Sequence, residues 1–461
     1  MTTRKALTEE SGDAKRTRLS NDASTAASPG KSVLEPLHIY LQSISGGEFP
    51  TIELAGDNPT VAHLETAVRK SVASGLFTLL HGSTALLDEA MMLADYGIVD
   101  GVTLTLIAKR TFRVATTSYD GTIKIWDGAT GLCKYTMSYS DVMLLKLSPD
   151  DSLMLTASLG DTLVIWDTAT GKVKEELGRH MDDITSATFS ANGTLVLSAS
   201  VDQTVKIWDI ATRNAITMFH TSAVNSAMFS ADESLIFTGS SDNTAKIWDS
   251  ASGACKMTIL HDMAVTCALP APNNCIITCS CDKTAKISDI ATGKCQTMLR
   301  GHSSFVCAAV FSTDGSLALT TALRDAKVWD LATGECKQTF PGRLDNFEGN
   351  IWGRNQHAVF SADGLSVLVV NCTGPQIWDI ATGECKLTLE GHVHSLRGLP
   401  MLTCSAMFSC DGSLILTSSE DKTAKIWDSA TGRCMLTLRG HSDFVHDAIF
   451  FSDNVSMGTC N

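Results

Sequence analysis

The sequence predicts a mainly β chain in which four-stranded sheets close into a ring behind a small α+β roll. Three observations carry this. The dipeptide Trp-Asp recurs at Trp126, Trp166, Trp208, Trp248, Trp329, Trp378 and Trp427, and Ser288-Asp289 fills the one gap. The step between copies is about 40 residues, the length of one four-stranded propeller blade. A single blade cannot bury both of its faces, so the period implies a stacked ring and not a string of independent domains. The expectation is an eight-bladed β-propeller over residues 111–461. Seven blades is the alternative, if the first or the fifth copy does not form a full blade.

Residues 1–33 are polar and without periodicity, the signature of a disordered tail. They hold two small basic clusters, Arg4-Lys5 and Lys15-Arg16-Thr17-Arg18. Such clusters read either as a solvated tail or as a split nuclear import signal. Residues 34–110 are organised differently. Leu37 to Ile44 alternates like a strand, Gly46-Gly47 turns it, and Thr51 to Leu54 returns as a hairpin partner. Thr60 to Val68 has helical spacing, with Val61, Leu64 and Val68 on one face and Thr60 placed to cap. Strands follow at Phe77 to Leu80 and at Thr103 to Ile107.

This stretch resembles ubiquitin and ubiquitin-like domains. The resemblance rests on Leu37-His38-Ile39-Tyr40, Leu79-Leu80-His81-Gly82, Leu93 to Ile98, and Thr103 to Ile107. It departs in a longer first hairpin around Glu48 to Pro50. It also lacks a Gly-Gly tail, since Lys109-Arg110 runs straight on, so it implies an integral domain and not a conjugated modifier. The resemblance places the family's receptor-facing apolar patch on Ile44, Leu79 and Ile107, with Thr105 at the patch's histidine position. Such a patch would be a small binding surface. The competing expectation is that these side chains pack against the ring.

Each later copy runs through a strand, a turn and a second strand to Trp-Asp, as in Leu195 to Asp209. These copies resemble the WD-repeat family over about three quarters of the chain. The resemblance implies a buried network of His, Ser/Thr, Asp and Trp. One copy offers His180, Ser198, Asp202 and Trp208. Others offer His220, Thr238, Asp242 and Trp248, then His392, Thr417, Asp421 and Trp427. The first copy lacks its own Gly-His and first strand, and the last is followed by Gly440-His441 and by Phe444 to Phe450 with no Trp-Asp after it. The C-terminal strand is therefore expected to complete the first blade and bring His441 to Thr116, Asp120 and Trp126. Closure of this kind removes exposed sheet edges. A Ser, a His and an Asp together suggest a hydrolase, but a catalytic triad needs one exposed nucleophile beside an oxyanion hole. A set repeated in several blades is a fixture of the wall.

The copies differ most in two connections. Most run 21–23 positions from Trp to the residue ending the next first strand, but Trp329 to Phe360 takes 31 and Trp378 to Phe408 takes 30. The long connections carry Arg343, Phe347, Trp352 and Arg354, then His394 and Arg397, residue types typical of partner anchors. They fall on neighbouring blades and on one face of the ring, which favours a binding face over drift.

Bulk composition narrows the function. A net charge of -14 argues against nucleic-acid binding, which needs basic surface. No apolar run reaches the roughly 18 residues that span a bilayer, and the N-terminus has no signal-peptide core. Of the 15 cysteines, Cys133, Cys255, Cys295, Cys336, Cys385 and Cys434 share one repeat position, where blade spacing is too great for disulfides. Cys279 and Cys281 form a close pair, but no second Cys/His pair follows at finger spacing. The expectation is a monomeric protein-interaction scaffold of the cytoplasm or nucleus, without metal, cofactor or catalytic residues. The propeller would hold a protein partner and the ubiquitin-like domain a receptor, in the ubiquitin–proteasome system. A substrate receptor of a ubiquitin ligase is the alternative, weakened because no copy carries Trp-Asp-x-Arg. An enzyme with a central pocket is the rival class, and no phosphate loop or isolated carboxylate pair supports it.

Overall fold

The computed structural model describes residues 37–43, 51–54, 59–71, 76–81, 84–86, 91–109, 112–139, 142–158, 162–341, 358–371, 374–392 and 403–451. The chain divides into two compact units, Met1–Lys109 and Arg110–Asn461.

Among the described residues the first unit is a five-stranded sheet with one α-helix and a short 3-10 turn. In chain order its elements are β1 (Leu37–Ser43), β2 (Ile52–Leu54), α1 (Val61–Ser71), β3 (Leu76–His81), β4 (Thr84–Ala85), the 3-10 turn Leu93–Tyr96 and β5 (Val102–Lys109). The sheet order is β2-β1-β5-β3-β4, with β1 and β5 parallel at its centre. Alternation decides what is buried. Ile39 and Leu41 on β1, Leu104 on β5 and Leu79 on β3 turn inward onto Val61, Leu64 and Val68 of α1. The helix runs three residues beyond the expected Val68. At its start the Thr60 N–H donates to Nδ1 of His63 at 3.1 Å, so an imidazole three residues on serves as the acceptor, and the Thr60 hydroxyl meets the same nitrogen at 2.9 Å.

The second unit contains eight four-stranded antiparallel sheets among the described residues. Sheet two begins at Val142–Leu147, sheet three at Ile184–Phe189, sheet four at Val224–Phe229 and sheet five at Val265–Ala271. Sheet six begins at Val306–Phe311, sheet seven at Ala358–Phe360 and sheet eight at Thr403–Phe408. Sheet one takes three strands from Arg113 to Ser138 and its fourth from the C-terminus, Val445–Phe450. That last strand lies antiparallel to Arg113–Ser118, with Ala448 opposite Thr116.

Each sheet shares one apolar cluster with the next, and eight such clusters link the sheets in order, including the eighth to the first. The repeated Trp is the common element: Trp208 packs on Leu155 and Leu177 of sheet two, and Trp248 on Leu197 and Met218 of sheet three. The period is therefore read out as seams. A side chain belonging to one repeat is buried by the repeat before it.

Candidate functional site

The polar network forms where an outermost strand leads into the next innermost one. In sheet three the Trp208 Nε1–H donates to Ser198 Oγ at 2.8 Å, Ser198 Oγ meets His180 Nε2 at 2.7 Å, and His180 Nδ1 meets Asp202 Oδ2 at 3.0 Å. In sheet four the corresponding bonds among Trp248, Thr238, His220 and Asp242 are all 2.8 Å. Sheet eight repeats them with Trp427, Thr417, His392 and Asp421 at 2.9, 2.7 and 2.8 Å. In sheet one they cross the whole chain: Trp126 to Thr116 and Thr116 to His441 are both 2.8 Å, and His441 to Asp120 is 3.2 Å.

Two further networks escaped the sequence reading. His261 reaches Thr278 at 2.8 Å and Asp282 at 2.9 Å in sheet five. In sheet six Trp329 donates to Thr320 at 2.7 Å, and His302 meets both Thr320 and the Asp325 carboxylate. The signal was available, because His220, His261 and His302 recur at the repeat step. Sheet two has no such His; Tyr139 meets Trp166 edge-on instead, at 5.9 Å and 89°.

One proton arrangement satisfies every member. The indole donates to the hydroxyl, the hydroxyl donates to Nε2, and Nδ1–H donates to the carboxylate, so the imidazole is neutral. The His side chains are at most 3% exposed. Burial pushes His220, His261, His302 and His441 below the usual imidazole range, against the pull of their Asp partners. Burial alone would raise Asp120 and Asp202. Hydrogen bonds from Thr122 and Ser442 to Asp120, and from Thr204 and Met181 to Asp202, together with the nearby histidines, outweigh it and bring both to about 2.

Both shifts act in one direction. A folded-state His held below its unfolded value near 6.5 loses stability as pH falls through that value, because only the unfolded chain readily takes the proton. The Asp contribution is complete above about pH 4 and is lost as pH falls toward about 2. Thermal unfolding midpoints should therefore fall steadily from about pH 6.5 downward, by about 1–1.5 °C for each kcal/mol lost in a unit of this size. A midpoint that stayed constant between pH 7 and pH 5 would contradict neutral, buried imidazoles.

These Ser/Thr–His–Asp sets are structural, since in five sheets the hydroxyl already accepts from a buried indole. The anchors Arg343, Phe347, Trp352, Arg354, His394 and Arg397 lie outside the described residues. Their connections join Cys336–Pro341 to Ala358–Phe360 and Cys385–Thr388 to Thr403–Phe408, the same outermost-to-innermost passage that carries each network His.

The expected patch on the first unit needs correction. Leu79 is 1% exposed and belongs to the core. It pairs with Leu106, two along from the buried Leu104, so alternation turns it inward. The register position facing Thr105 is taken by Leu80, and Ile107 pairs with Thr78. Ile44 lies outside the described residues. Tyr40, opposite Thr103, is exposed.

Among the described residues thirteen cysteines stand outside any disulfide, and no group of three or more His, Cys, Asp or Glu is placed there to hold a metal ion. Burial pushes the Cys267 thiol up to about 11 and Cys307 to about 12, and holds Cys279 well above the usual range. Such thiols are poor nucleophiles. Among the described residues no helix is long and apolar enough to cross a membrane.

The WD domain, G-beta repeat family matches residues 103–127, 171–209, 214–249, 253–289, 293–330 and 383–428. Among solved structures, the crystal structure of the computationally designed Ika8 protein, in a P63 packing, is similar. Its TM-score is 0.58 at 26% identity, covering 69% of this chain and 94% of that one. No curated protein matches the chain significantly. The repeated Trp-Asp strands, the His-bearing turns and the sheets that share their cores in sequence point the same way: the chain carries WD repeats, and these support a WD-repeat β-propeller.

Proposed function

We propose that this chain is a protein-interaction scaffold, an eight-bladed propeller that holds a protein partner beside a ubiquitin-like unit that engages a receptor. WD-repeat proteins typically bind other proteins, and this supports the first half. The observation that carries the reading is the occupancy of the polar sets: the groups that could have reacted are bonded to buried indoles and build the wall. What varies between repeats is the pair of long connections on neighbouring sheets, and we assign partner binding to Arg343, Phe347, Trp352, Arg354, His394 and Arg397. The sheet order β2-β1-β5-β3-β4 with a parallel central pair supports the ubiquitin-like assignment. With Leu79 in the core, we assign receptor binding to the register positions Leu80, Thr105 and Ile107 instead. A role in the ubiquitin–proteasome system follows from that assignment.

The test is quantitative affinity purification of three forms: the full chain, the chain lacking residues 34–110, and the Arg343→Ala/Trp352→Ala/Arg397→Ala variant. Each altered form should lose a different subset of partners by tenfold or more while keeping the thermal midpoint of the propeller. Identical partner sets for all three would refute the two-site scaffold.

A further inference from the structure

We propose that sheet seven is a built-in weak point of the ring, which opens locally while the other sheets stay closed. Two features converge on it. The first is the wall network. The residue of sheet seven that corresponds by register to Thr238 is Val369, which faces Gln376 as Thr238 faces Lys246. Valine offers no acceptor, and the Trp378 Nε1–H is buried without a hydrogen-bond partner. Asn371 donates to Gln376 at 2.6 Å, and Gln376 donates to Thr388 at 3.2 Å. That chain ties three strands of the sheet together but does not reach the indole.

The second is the seam with sheet six. In sheets three, four and five a side chain of the innermost strand donates to the next sheet: Thr185 to the Val224 carbonyl at 2.6 Å, Asn225 to Val265 at 2.7 Å, and Thr266 to Val306 at 2.6 Å. The corresponding residue of sheet six is Cys307, whose thiol turns back to the Phe305 carbonyl at 3.6 Å. In the same sheet the Thr321 hydroxyl is buried without a partner. Its counterpart Ser418 in sheet eight donates across its seam to the His446 carbonyl at 3.3 Å. Across that seam Thr313 donates to the Ala362 carbonyl at 3.5 Å, and Phe340 packs on Trp378 at 5.7 Å between rings. A sheet that lacks hydrogen bonds its neighbours keep has a lower local opening free energy.

The experiment is hydrogen exchange of the full chain, followed by mass spectrometry under native conditions. Amides of Ser366–Asp379 should exchange at least tenfold faster than the equivalent Leu235–Asp249 of sheet four. In a 15N-tryptophan sample, the Trp378 indole proton should exchange faster than that of Trp248. The Val369→Thr variant returns the acceptor and should slow both sheet-seven signals several-fold without changing sheet four. Equal protection of sheets four and seven would overturn the proposal. So would a Val369→Thr variant that left sheet seven unchanged or exchanging faster.

Discussion

A chain ending at Arg439 loses cooperative folding of its ring. The segment removed carries the fourth strand of sheet one, and with it Val445, Ala448, Ile449 and Phe450, which pack into the seams on either side of that sheet. Phe451 goes as well, a 4% exposed side chain under the Arg113 guanidinium at 4.0 Å. Burying a large apolar side chain contributes about 1.5–3 kcal/mol. Several such losses together rival the whole stability of a domain, about 5–15 kcal/mol. The loss of His441 adds to this, because Thr116 and Asp120 stay behind with a buried partner missing, at about 1–3 kcal/mol for a stranded group. An unpaired edge along Arg113–Ser118 would also invite association with other chains. Differential scanning calorimetry should show no cooperative transition for the shortened chain, and light scattering should show aggregates. A synthetic peptide of residues 440–451, added in excess, should restore part of the transition. The His441→Ala variant should stay folded with a lower midpoint. If the shortened chain melted cooperatively within a few degrees of the full one, the C-terminal strand would not be what closes the ring.

That closure was legible because it depends on counting. The first repeat is short by one strand and one His, and the end of the chain supplies both. Seams were legible for the same reason, since a Trp at a fixed step must find an apolar neighbour at a fixed step. The first unit was harder to read at single-residue precision. Along a strand an error of one position reverses the face, and this is how Leu79 came to be placed on the surface when it lies in the core. The networks of sheets five and six are obscured at the Trp-Asp end of the repeat, since sheet six is one residue shorter between its hydroxyl and its indole than sheet four. Sheet five has Ser288 there, while His261, Thr278 and Asp282 are intact. The weakness of sheet seven could not be read from Val369 alone. Valine is a good strand residue, and only the register places it where an indole needs an oxygen. A net charge of -14 argues against nucleic acid but names no partner, because the residues that differ between repeats lie in connections that follow no repeat rule.

The substitution of Ser288 for Trp should be balanced by Phe237, and the pair should behave as one unit. Ser288 pairs with Ile276, as Trp248 pairs with Ile236 and Trp329 with Ala318. It therefore stands at the seam between sheets four and five, where an indole would project onto sheet four. Phe237, which is fully buried, fills that seam together with Ile247, Ile259, Val265 and Ile276. The same position in the other sheets holds Ala115, Leu155, Leu197, Ile277, Leu319, Leu368 or Leu416, none of them aromatic. An aromatic ring has moved from one side of the seam to the other. Ser288→Trp alone should overpack against Phe237 and cost about 1–3 kcal/mol. Phe237→Leu alone should open a void and cost about 1–2 kcal/mol, below the range for full truncation of a buried phenyl. In the double variant the introduced indole has both room and an acceptor, since Thr278 Oγ1 lies where its counterparts accept from Trp. The buried Ser288 hydroxyl, which has no hydrogen-bond partner, is removed at the same time. The double variant should therefore recover most of the loss, giving a coupling of about 2 kcal/mol, well above the few tenths expected of independent sites. Denaturant or thermal unfolding of the four proteins measures it. Strictly additive losses would mean that Phe237 and Ser288 do not share the space, and that the missing indole is accommodated elsewhere in the seam.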